Sequence, residues 1–567
     1  MKVRNFSKEQ QREQKGIGEY GMNSSSFISK YVEEHKKALE KLKKETTALA
    51  FDGQWFIIGD KEYPQKRLQY ATTSFLEEQV SPCIILYPAG EKDIHKAIGL
   101  CRNHGMALAV RTGGHQYCGY SSTSPANMQM DLSETFPSYE YDPKRNVLRC
   151  GVSNALGDWA EKNHKNGIYL PMGVCAHVHL GGHVHTGGWG MVARSHGILA
   201  DHVLAFEIIF ASGALERIVR PAQGETTEHN DDVFYAVLGG SKGGDFGIVT
   251  HWEFSPLRDI DYPNSACYKF LWLWTEDKME GAVCMMEKLS KLCAKGDIPT
   301  DYEFMLSITG AGFMNVLSEN VKQELQALGY LREDIPVPAV IQMWMCYTNK
   351  EGVEKEFDDN WFDLFTHEDV CGEPIIAHRL TNYPVSQGLA QQFIMEQDRE
   401  MQYPFVKRSR VTLNVPETYA KTYRERMSKI MGEFGTSNNQ HLVSQMQIYA
   451  GGAVQENGKA GITSYSWREQ AFAASHDSFY AEGWFGGDTH NQAEEWQRKN
   501  DEVFIEQKAY ADADMRMFAY TFGGRDLMDV WPYFYDSQKK YDRLRKIKGT
   551  LDPGGLFSPD QFSLKPL

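Results

Sequence analysis

The chain has 567 residues, which is too many for one hydrophobic core and predicts at least two domains. The formal net charge of −15 argues against a nucleic-acid partner or an anionic membrane surface. The sequence contains no run of about 18 apolar residues and therefore predicts no transmembrane helix. The polar N-terminus lacks the apolar core of a secretory signal, so we expect a cytoplasmic protein.

The first predicted element is an amphipathic helix over residues 26–50, which we expect to lie on the first domain. A strand (83–88), a helix (91–105) and a strand entering a glycine turn (106–114) follow. This alternation is typical of α/β architecture. A second region of alternating strands and helices is predicted over about residues 147–252.

The pattern of predicted elements changes after about Pro256, where apolar strands alternate with long polar helical stretches. This pattern predicts an antiparallel sheet backed by helices, as in an α+β domain. Its clearest strands are 267–274, 339–347 and 442–452. The C-terminal stretch 544–557 predicts a helix that ends at a Pro-Gly stop.

Two glycine-rich stretches carry the candidate chemistry. Residues 111–122 read RTGGHQYCGYSS, and paired glycines after a strand let backbone N–H groups approach an anion closely. Residues 173–190 read GVCAHVHLGGHVHTGGWG and hold four histidines. In a strand, His177 and His179 would share a face, with His183 and His185 as a second pair. From spacing alone the histidines suit a zinc or copper site, structural roles or another cofactor.

Together the two stretches resemble the bicovalent flavin signature of the berberine bridge enzyme-like family of FAD-linked oxidases. The family's R[ST]GGHxY motif corresponds to Arg111–Tyr117, and its second motif places a cysteine six residues before GGH, as Cys175 stands here. The stretches 199–213, 231–250 and 544–564 match further family motifs in order. The resemblance covers residues 60–255 and 505–567 clearly and the middle only loosely.

The resemblance implies an α+β protein with a two-part FAD-binding domain of the p-cresol methylhydroxylase type and an antiparallel-sheet substrate domain. It implies FAD bonded to His115 through the 8α-methyl group and to Cys175 through C6. The domain bounds that we expect are 1–54 for an N-terminal helical extension, 55–258 for the FAD domain, 259–504 for the substrate domain and 505–567 for a segment returning to the FAD domain.

The resemblance also assigns site residues. The residues expected to bind FAD are His115, Cys175, Arg111, Thr112, Gly113, Gly114, Gln116, Gly119, Ser121, Val178, His179, Gly181, Gly182, His183, Thr186, Gly187 and Ile248. The residues expected in catalysis are Tyr535 as the base, Tyr533 as its alternative, and Tyr117 on the substrate side of the flavin. The residues expected in the substrate pocket are Trp189, Gln447 and Tyr449.

Val178 stands where a small residue in the family admits O2 to the flavin, so the sequence predicts an oxidase that yields H2O2. His179 replaces the glycine that is usual beside it. We expect a small specialised metabolite as substrate, and no metal, nucleic acid or membrane partner. Two alternatives remain: a carbohydrate oxidase, and a metal-binding or non-catalytic protein that uses the histidines at 177–185.

Overall fold

The computed structural model describes residues 26–68, 77–116, 120–222, 224–240, 243–310, 339–349, 356–391, 405–412, 441–479 and 526–567, with a few single positions between them. The strands are β1 (Gln54–Ile57), β2 (Ile84–Tyr87), β3 (Leu108–Arg111), β4 (Met128–Asp131), β5 (Tyr139–Asp142), β6 (Val147–Gly151), β7 (Ile168–Tyr169), β8 (Val203–Ile209), β9 (Leu215–Val219), β10 (Ile248–Phe254), β11 (Leu257–Arg258), β12 (Ala266–Leu273), β13 (Tyr302–Gly310), β14 (Ala339–Tyr347), β15 (Ile376–Thr381), β16 (Phe405–Thr412), β17 (His441–Ile448) and β18 (Phe472–Phe479). The helices are α1 (Ser26–Ala48), α2 (Tyr63–Lys66), α3 (Glu91–His104), α4 (Leu156–Lys165), α5 (Leu180–His185), α6 (Ala193–His196), α7 (Glu228–Val237), α8 (Glu276–Lys295), α9 (Asn360–Asp363), α10 (Val385–Ala390), α11 (Ala453–Gly458), α12 (Leu527–Val530) and α13 (Gln538–Leu551).

The described N-terminal half contains two main sheets and a short antiparallel pair of β7 and β11. The first has the order β1-β2-β4-β3, in which β2, β4 and β3 run parallel and β1 is antiparallel. Helix α3 connects β2 to β3 and ends at Gly105, whose φ of 63° is the left-handed conformation that favours glycine at a helix end. The second sheet is antiparallel, with the order β5-β6-β10-β8-β9. The predicted strand–helix–strand unit is therefore confirmed.

The region after Pro256 forms an antiparallel seven-stranded sheet with the order β15-β12-β14-β13-β17-β18-β16. Alternate residues of β13 point to opposite faces, as the pleat requires. Tyr302, Phe304, Leu306 and Ile308 join the core under helix α8. Met305 instead joins the core of the N-terminal half. The large sheet thus has one apolar face and one face turned toward the two smaller sheets, and the predicted α+β character is confirmed.

The described C-terminal segment, 526–567, returns to the N-terminal half. The fully buried Lys548 of α13 donates to the Asp552 carboxylate at 2.7 Å and to the Asp245 carbonyl oxygen at 2.6 Å. The Leu108 N–H of β3 donates to the Leu556 carbonyl oxygen at 2.7 Å. A buried ammonium needs such partners, because an unpaired buried charge costs several kcal/mol, about 3–5 when one partner is removed.

Two further observations concern sequence expectations. His183 and His185 lie on helix α5, so the strand pairing considered for these histidines is wrong. Within the described part of the chain, no helix is long and apolar enough to cross a bilayer.

Candidate active site

A cleft lies where the two smaller sheets meet the inward face of the seven-stranded sheet. The space in and around it, including the part open to solvent, is about 1310 Å³. Three stretches of the N-terminal half line it, namely 110–116, 173–190 and 243–249. The inward sheet face contributes Met305, Gln445, Gln447 and Ser475.

The two glycine-rich stretches lie against each other in this cleft. A Cβ atom on Gly113 would lie 2.8 Å from the His177 carbonyl oxygen, and one on Gly181 would lie 2.6 Å from Cγ2 of Thr112. At Gly113 the atom in the way is backbone, so only glycine permits the approach without moving it, whereas at Gly181 the Thr112 side chain would have to move. The contact brings His115 and Cys175, from separate segments, into the lining of one cleft.

Backbone hydrogen bonds position the segment that carries Cys175. The N–H of Leu156, at the start of α4, donates to the Val178 carbonyl oxygen at 2.8 Å, and the Gly157 N–H donates to the Ala176 carbonyl oxygen at 3.0 Å. The Val178 N–H donates to the Cys175 carbonyl oxygen at 3.3 Å, which closes a turn. Cys175 is half-buried and in no disulfide, so its thiol is accessible from the cleft.

Arg111 lines the cleft, but its guanidinium forms hydrogen bonds with other parts of the protein. Nε donates to the Asp131 carboxylate at 2.6 Å, and the terminal nitrogens donate to the carbonyl oxygens of Lys66 at 2.9 Å and Leu68 at 3.0 Å. These bonds fix the end of β3, from which the RTGGH turn departs. The contribution of Arg111 to a ligand is therefore positional.

Three histidines of the second stretch, the buried His185 and the partly exposed His179 and His183, are uncharged at neutral pH. Burial lowers the pKa of His179, His183 and His185 to about 4 in each case. His183 Nε2 accepts the Gly173 N–H at 3.1 Å, and His185 Nδ1 lies in a hydrogen bond with the Gly181 carbonyl oxygen. Nδ1 of His179 is buried without a hydrogen-bond partner among the described residues, so it is free to meet a polar group in the cleft.

The histidines do not converge on one point. Across the described ranges, no group of three or more His, Cys, Asp or Glu side chains has the geometry of a metal site. His185 instead packs edge-on against Trp252, with ring centroids 5.2 Å apart. The described part of the cluster therefore has the hydrogen-bonding and packing roles of structural histidines.

The structure does not bring Tyr535 to the cleft. Its side chain is 5% exposed and its hydroxyl donates to the Gly240 carbonyl oxygen at 2.8 Å. Burial raises the pKa of Tyr535 well above its usual value, and Asp245 and Tyr541 raise it further. A tyrosine base needs a lowered pKa, so the prediction of Tyr535 as the base is corrected.

The other predicted residues divide into three groups. Those that line the cleft are His115, Cys175, Arg111, Thr112, Gly113, Gly114, Gln116, Ser121, Val178, His179, Gly181, Gly182, His183, Thr186, Trp189 and Gln447. Three predicted residues do not line it. Gly187 lies against Tyr465, and Tyr449 packs edge-on behind Trp189. Ile248 points into the core, whereas the next residue, Val249, faces the cleft. Those outside the described residues are Tyr117, Gly119 and the side chain of Tyr533.

Among the lining residues that sequence reasoning missed, two groups differ in the signal that the sequence offered. The first is the turn with Gly243 and Gly244, whose φ values of 97° and 81° require glycine; the sequence GGSKGGDFG was a visible signal. The second is the inward sheet face with Met305, Gln445 and Ser475. Its only signal was polar residues alternating within apolar strands, which does not reveal the partner surface.

Comparisons with known proteins identify the type of domain that holds part of this cleft. Residues 82–218 match the family model described as an FAD binding domain. A berberine bridge enzyme-like protein of Cynodon dactylon, Cyn d 4, is 34% identical over 31% of this chain and 33% of its own. A tetrahydroberberine oxidase of Berberis wilsoniae is 28% identical over 36% of this chain and 37% of its own. The chain thus spans only about a third of the length of these two curated relatives.

The fold extends further than the sequence similarity. A chitooligosaccharide oxidase structure superposes with a TM-score of 0.67 at 17% identity, over 93% of this chain and 99% of that chain. This confirms the predicted α+β fold of the p-cresol methylhydroxylase type. The matches together also confirm the resemblance seen in the sequence.

The cleft fits FAD. Apolar side chains suited to a flat ring line it, namely Val110, Leu132, Leu156, Val178 and Val249. Glycine backbone at 113–114, 181–182 and 243–244, with the hydroxyls of Thr112 and Ser121, suits the close approach of a phosphate tail. The buried Nδ1 of His179 offers one further polar contact.

Proposed function

We propose that this chain, whose FAD-binding part belongs to the berberine bridge enzyme-like family of FAD-linked oxidoreductases, is an oxidase with FAD bonded covalently to His115 and Cys175. Its substrate is a small specialised metabolite, oxidised at an alcohol, an amine or an activated C–H bond. When bound, FAD would supply the acceptor for a hydride from the substrate and the transfer of two electrons to O2, which yields H2O2.

The observation that carries this proposal is the shared cleft of His115 and Cys175. An imidazole and a half-buried thiol, from segments that pack closely at Gly113 and His177, face the same space. Two such nucleophiles suit two bonds to one flat ring. Two tethers fix the ring and withdraw electron density from it, which makes the flavin a stronger oxidant.

The neutral histidines serve binding rather than proton abstraction. With a pKa of about 4, His179 and His183 are too weakly basic to hold a substrate proton at neutral pH. His183 is further committed to the Gly173 N–H. Tyr533, the alternative to Tyr535 from the sequence, stays our candidate for the base, and Tyr117 stays a proposed residue on the substrate side of the flavin.

A specific feature also favours the second candidate, a carbohydrate oxidase. The cleft floor on the seven-stranded sheet carries the neutral polar side chains of Gln445, Gln447 and Ser475. Ser307 and Thr309 alternate with Met305 on the same face, and their hydroxyls are buried without hydrogen-bond partners among the described residues. Uncharged donors and acceptors of this kind suit a ligand rich in hydroxyl groups, and Trp189 adds an aromatic wall.

A substrate panel tests the proposal and separates the candidates. Purified protein is mixed with amines, benzylic and allylic alcohols, free hexoses and short oligosaccharides, and catalase-sensitive H2O2 release is recorded. Oxidation of a non-sugar alcohol or amine supports the first candidate, and oxidation only at the anomeric carbon supports the second. The double variant His115→Ala/Cys175→Ala is the control for flavin-dependent turnover. A wild-type protein that contains FAD but releases no H2O2 with any class would count against an oxidase.

A further inference from the structure

Two cysteines face each other across neighbouring strands of the seven-stranded sheet. Cys267 on β12 and Cys346 on β14 are directly opposite in the antiparallel register, so their side chains leave the same face of the sheet. Their sulfur atoms are 3.9 Å apart, and neither is in a disulfide. Both lie on the inward face, because they join the core of the N-terminal half, as Met305 does.

This pair has the backbone geometry that a disulfide needs. Residues directly opposite in an antiparallel sheet have Cα atoms about 4.5 or 5.5 Å apart, and disulfides span about 4.4–6.8 Å between Cα atoms. Closing the bond from the present sulfur separation of 3.9 Å therefore requires rotation of the two side chains and little movement of the backbone.

The surroundings make the two thiols chemically unequal. The Cys346 thiol donates to the Cys267 sulfur, and this hydrogen bond lowers the pKa of Cys267 against the effect of burial, with a further lowering by the Lys269 ammonium. The same hydrogen bond, together with burial, raises the pKa of Cys346 well above its usual value, and the Glu303 carboxyl adds to the rise. The thiolate is the reactive form of cysteine, so Cys267 is the nucleophile of the pair and Cys346 keeps its proton.

A small oxidant can reach the pair from the neighbouring cleft. Cys267 and Cys346 are 5% and 6% exposed, whereas Cys293 on α8 has no exposed surface. Glu303 is the partner of Cys346 on β13, and Met305, two residues further along that strand, lines the cleft. The two sulfur atoms thus lie one row of side chains away from the cleft lining, a step of about 7 Å along a strand.

We propose that Cys267 and Cys346 form a redox-active dithiol, which hydrogen peroxide or another small hydroperoxide converts into a cross-strand disulfide. The proposal does not depend on the proposed oxidase function, because a hydroperoxide from any source can act on the thiols. An oxidase of the proposed kind would release H2O2 in the adjacent cleft.

The reaction is balanced by one peroxide for each pair of thiols. The Cys267 thiolate attacks one peroxide oxygen, so an S–O bond forms and the O–O bond breaks. The departing hydroxide becomes water with the proton that Cys267 had released. The Cys346 sulfur then attacks the Cys267 sulfur, so an S–S bond forms and the S–O bond breaks. The second hydroxide leaves as water with the Cys346 proton, and two electrons have passed from sulfur to oxygen.

The first test detects the bond by peptide mass spectrometry. The flavin-loaded protein is reduced with dithiothreitol, freed of reductant, treated with H2O2, quenched in acid, alkylated under denaturing conditions and digested. We expect the peptides that contain residues 267 and 346 to be joined in most wild-type molecules and to separate again with dithiothreitol. Cys284→Ser is the matched control, because it removes an exposed thiol of the same domain and should leave the joined peptides unchanged. Wild-type peptides that stay unlinked in millimolar H2O2 would overturn the proposal.

Single variants test the order of the two steps. Cys346→Ser should stop at a sulfenic acid on Cys267, which dimedone traps. Cys267→Ser should give at least tenfold less trapped product at Cys346, because that thiol holds its proton. Equal trapping at both positions would contradict the assignment of Cys267 as the nucleophile.

The thermal unfolding midpoint gives a separate readout. The bond would close a loop over residues 268–345 and so restrict the unfolded chain, and treatment with H2O2 should raise the wild-type midpoint by several degrees. Dithiothreitol should reverse the rise, and Cys346→Ser should show none. An equal rise in wild type and Cys346→Ser would mean that peroxide acts elsewhere and would refute the disulfide. Because peroxide is added from outside, a failure of the oxidase function would leave both measurements valid.

Discussion

Gly113 and His177 touch through their backbones: a Cβ on Gly113 would lie 2.8 Å from the His177 carbonyl oxygen and 3.1 Å from the His179 N–H nitrogen. This contact is what places the imidazole of His115 and the thiol of Cys175 in one cleft. At this point a Cβ on residue 113 would force one of the two backbones to shift.

The substitution Gly113→Ala should therefore separate the two stretches. We expect a loss of about 1–3 kcal/mol of stability from overpacking and a several-fold lower FAD content in purified protein. The measurement is the thermal unfolding midpoint together with the flavin-to-protein absorbance ratio. Gly99→Ala is the matched control, because Gly99 lies within α3 with no atom within 4 Å of its added Cβ; there alanine should stabilise by about 0.5–1 kcal/mol. Equal flavin content in both variants would contradict the role of the contact.

Covalent attachment at two sites predicts a specific pattern of flavin release. Acid-precipitated wild-type protein should stay yellow, and so should His115→Ala and Cys175→Ala alone, because each keeps one bond. Only the double variant should release its flavin into the supernatant. Peptide mass spectrometry should find the flavin on peptides that contain residues 115 and 175. Release of the flavin from the acid-treated wild type would rule out covalent attachment.

Much of this architecture is readable from the sequence, for reasons that differ by region. The strand before RTGGH and the helix at 91–104 follow from local periodicity and a C-terminal glycine, so their bounds were predicted within a few residues. The two glycine-rich stretches were linked by motif resemblance, which carries tertiary information that spacing lacks. The helix at Leu180–His185 escaped prediction because six residues rich in glycine show neither helical nor strand periodicity.

The parts that could not be predicted depend on contacts between distant segments. Met305, Gln445 and Ser475 reach the cleft because the large sheet turns one face toward the N-terminal half, and no local pattern says which face that is. The resemblance points to Tyr535 as the base, because the family often has a tyrosine just ahead of its C-terminal helix, and a nearby Arg or Lys could lower its pKa. The fold instead buries its hydroxyl against the Gly240 carbonyl oxygen and raises its pKa.

Tyr535→Phe should consequently act on stability and not on chemistry. It leaves the buried Gly240 carbonyl oxygen without the 2.8 Å hydrogen bond, which should cost about 1–3 kcal/mol of unfolding free energy. Tyr541→Phe is the control, because the Tyr541 hydroxyl is buried without a hydrogen-bond partner among the described residues and should cost much less. Turnover per bound flavin should be similar to wild type in both variants. A loss of turnover of a hundredfold or more in Tyr535→Phe alone, with flavin retained, would restore Tyr535 as the base.

Val178 allows a prediction about O2. It lines the cleft, and its backbone is held by the hydrogen bonds to Leu156 and Cys175, so a larger side chain there cannot move away with the chain. Valine leaves more space at the flavin than leucine, and the family resemblance places this residue on the oxygen path. We expect fast reoxidation of the reduced wild-type enzyme by air. In Val178→Leu reoxidation should be slower by about tenfold or more, equivalent to about 1.4 kcal/mol of barrier.

The reductive half-reaction distinguishes an oxygen gate from general crowding of the cleft. Reduction by substrate should change little in Val178→Leu, because a residue on the oxygen path need not touch the hydride path. Val174→Leu is the matched control, since Val174 lines the same cleft one residue before Cys175 and gains the same methylene group. Stopped-flow mixing of reduced protein with oxygenated buffer measures all three proteins. Equal slowing in Val174→Leu and Val178→Leu would mean that added volume anywhere in the cleft hinders O2. Slow reoxidation in every protein, the wild type included, would point to a dehydrogenase that passes its electrons to another acceptor, and the neighbouring His179, which replaces the usual glycine, would be the next residue to exchange.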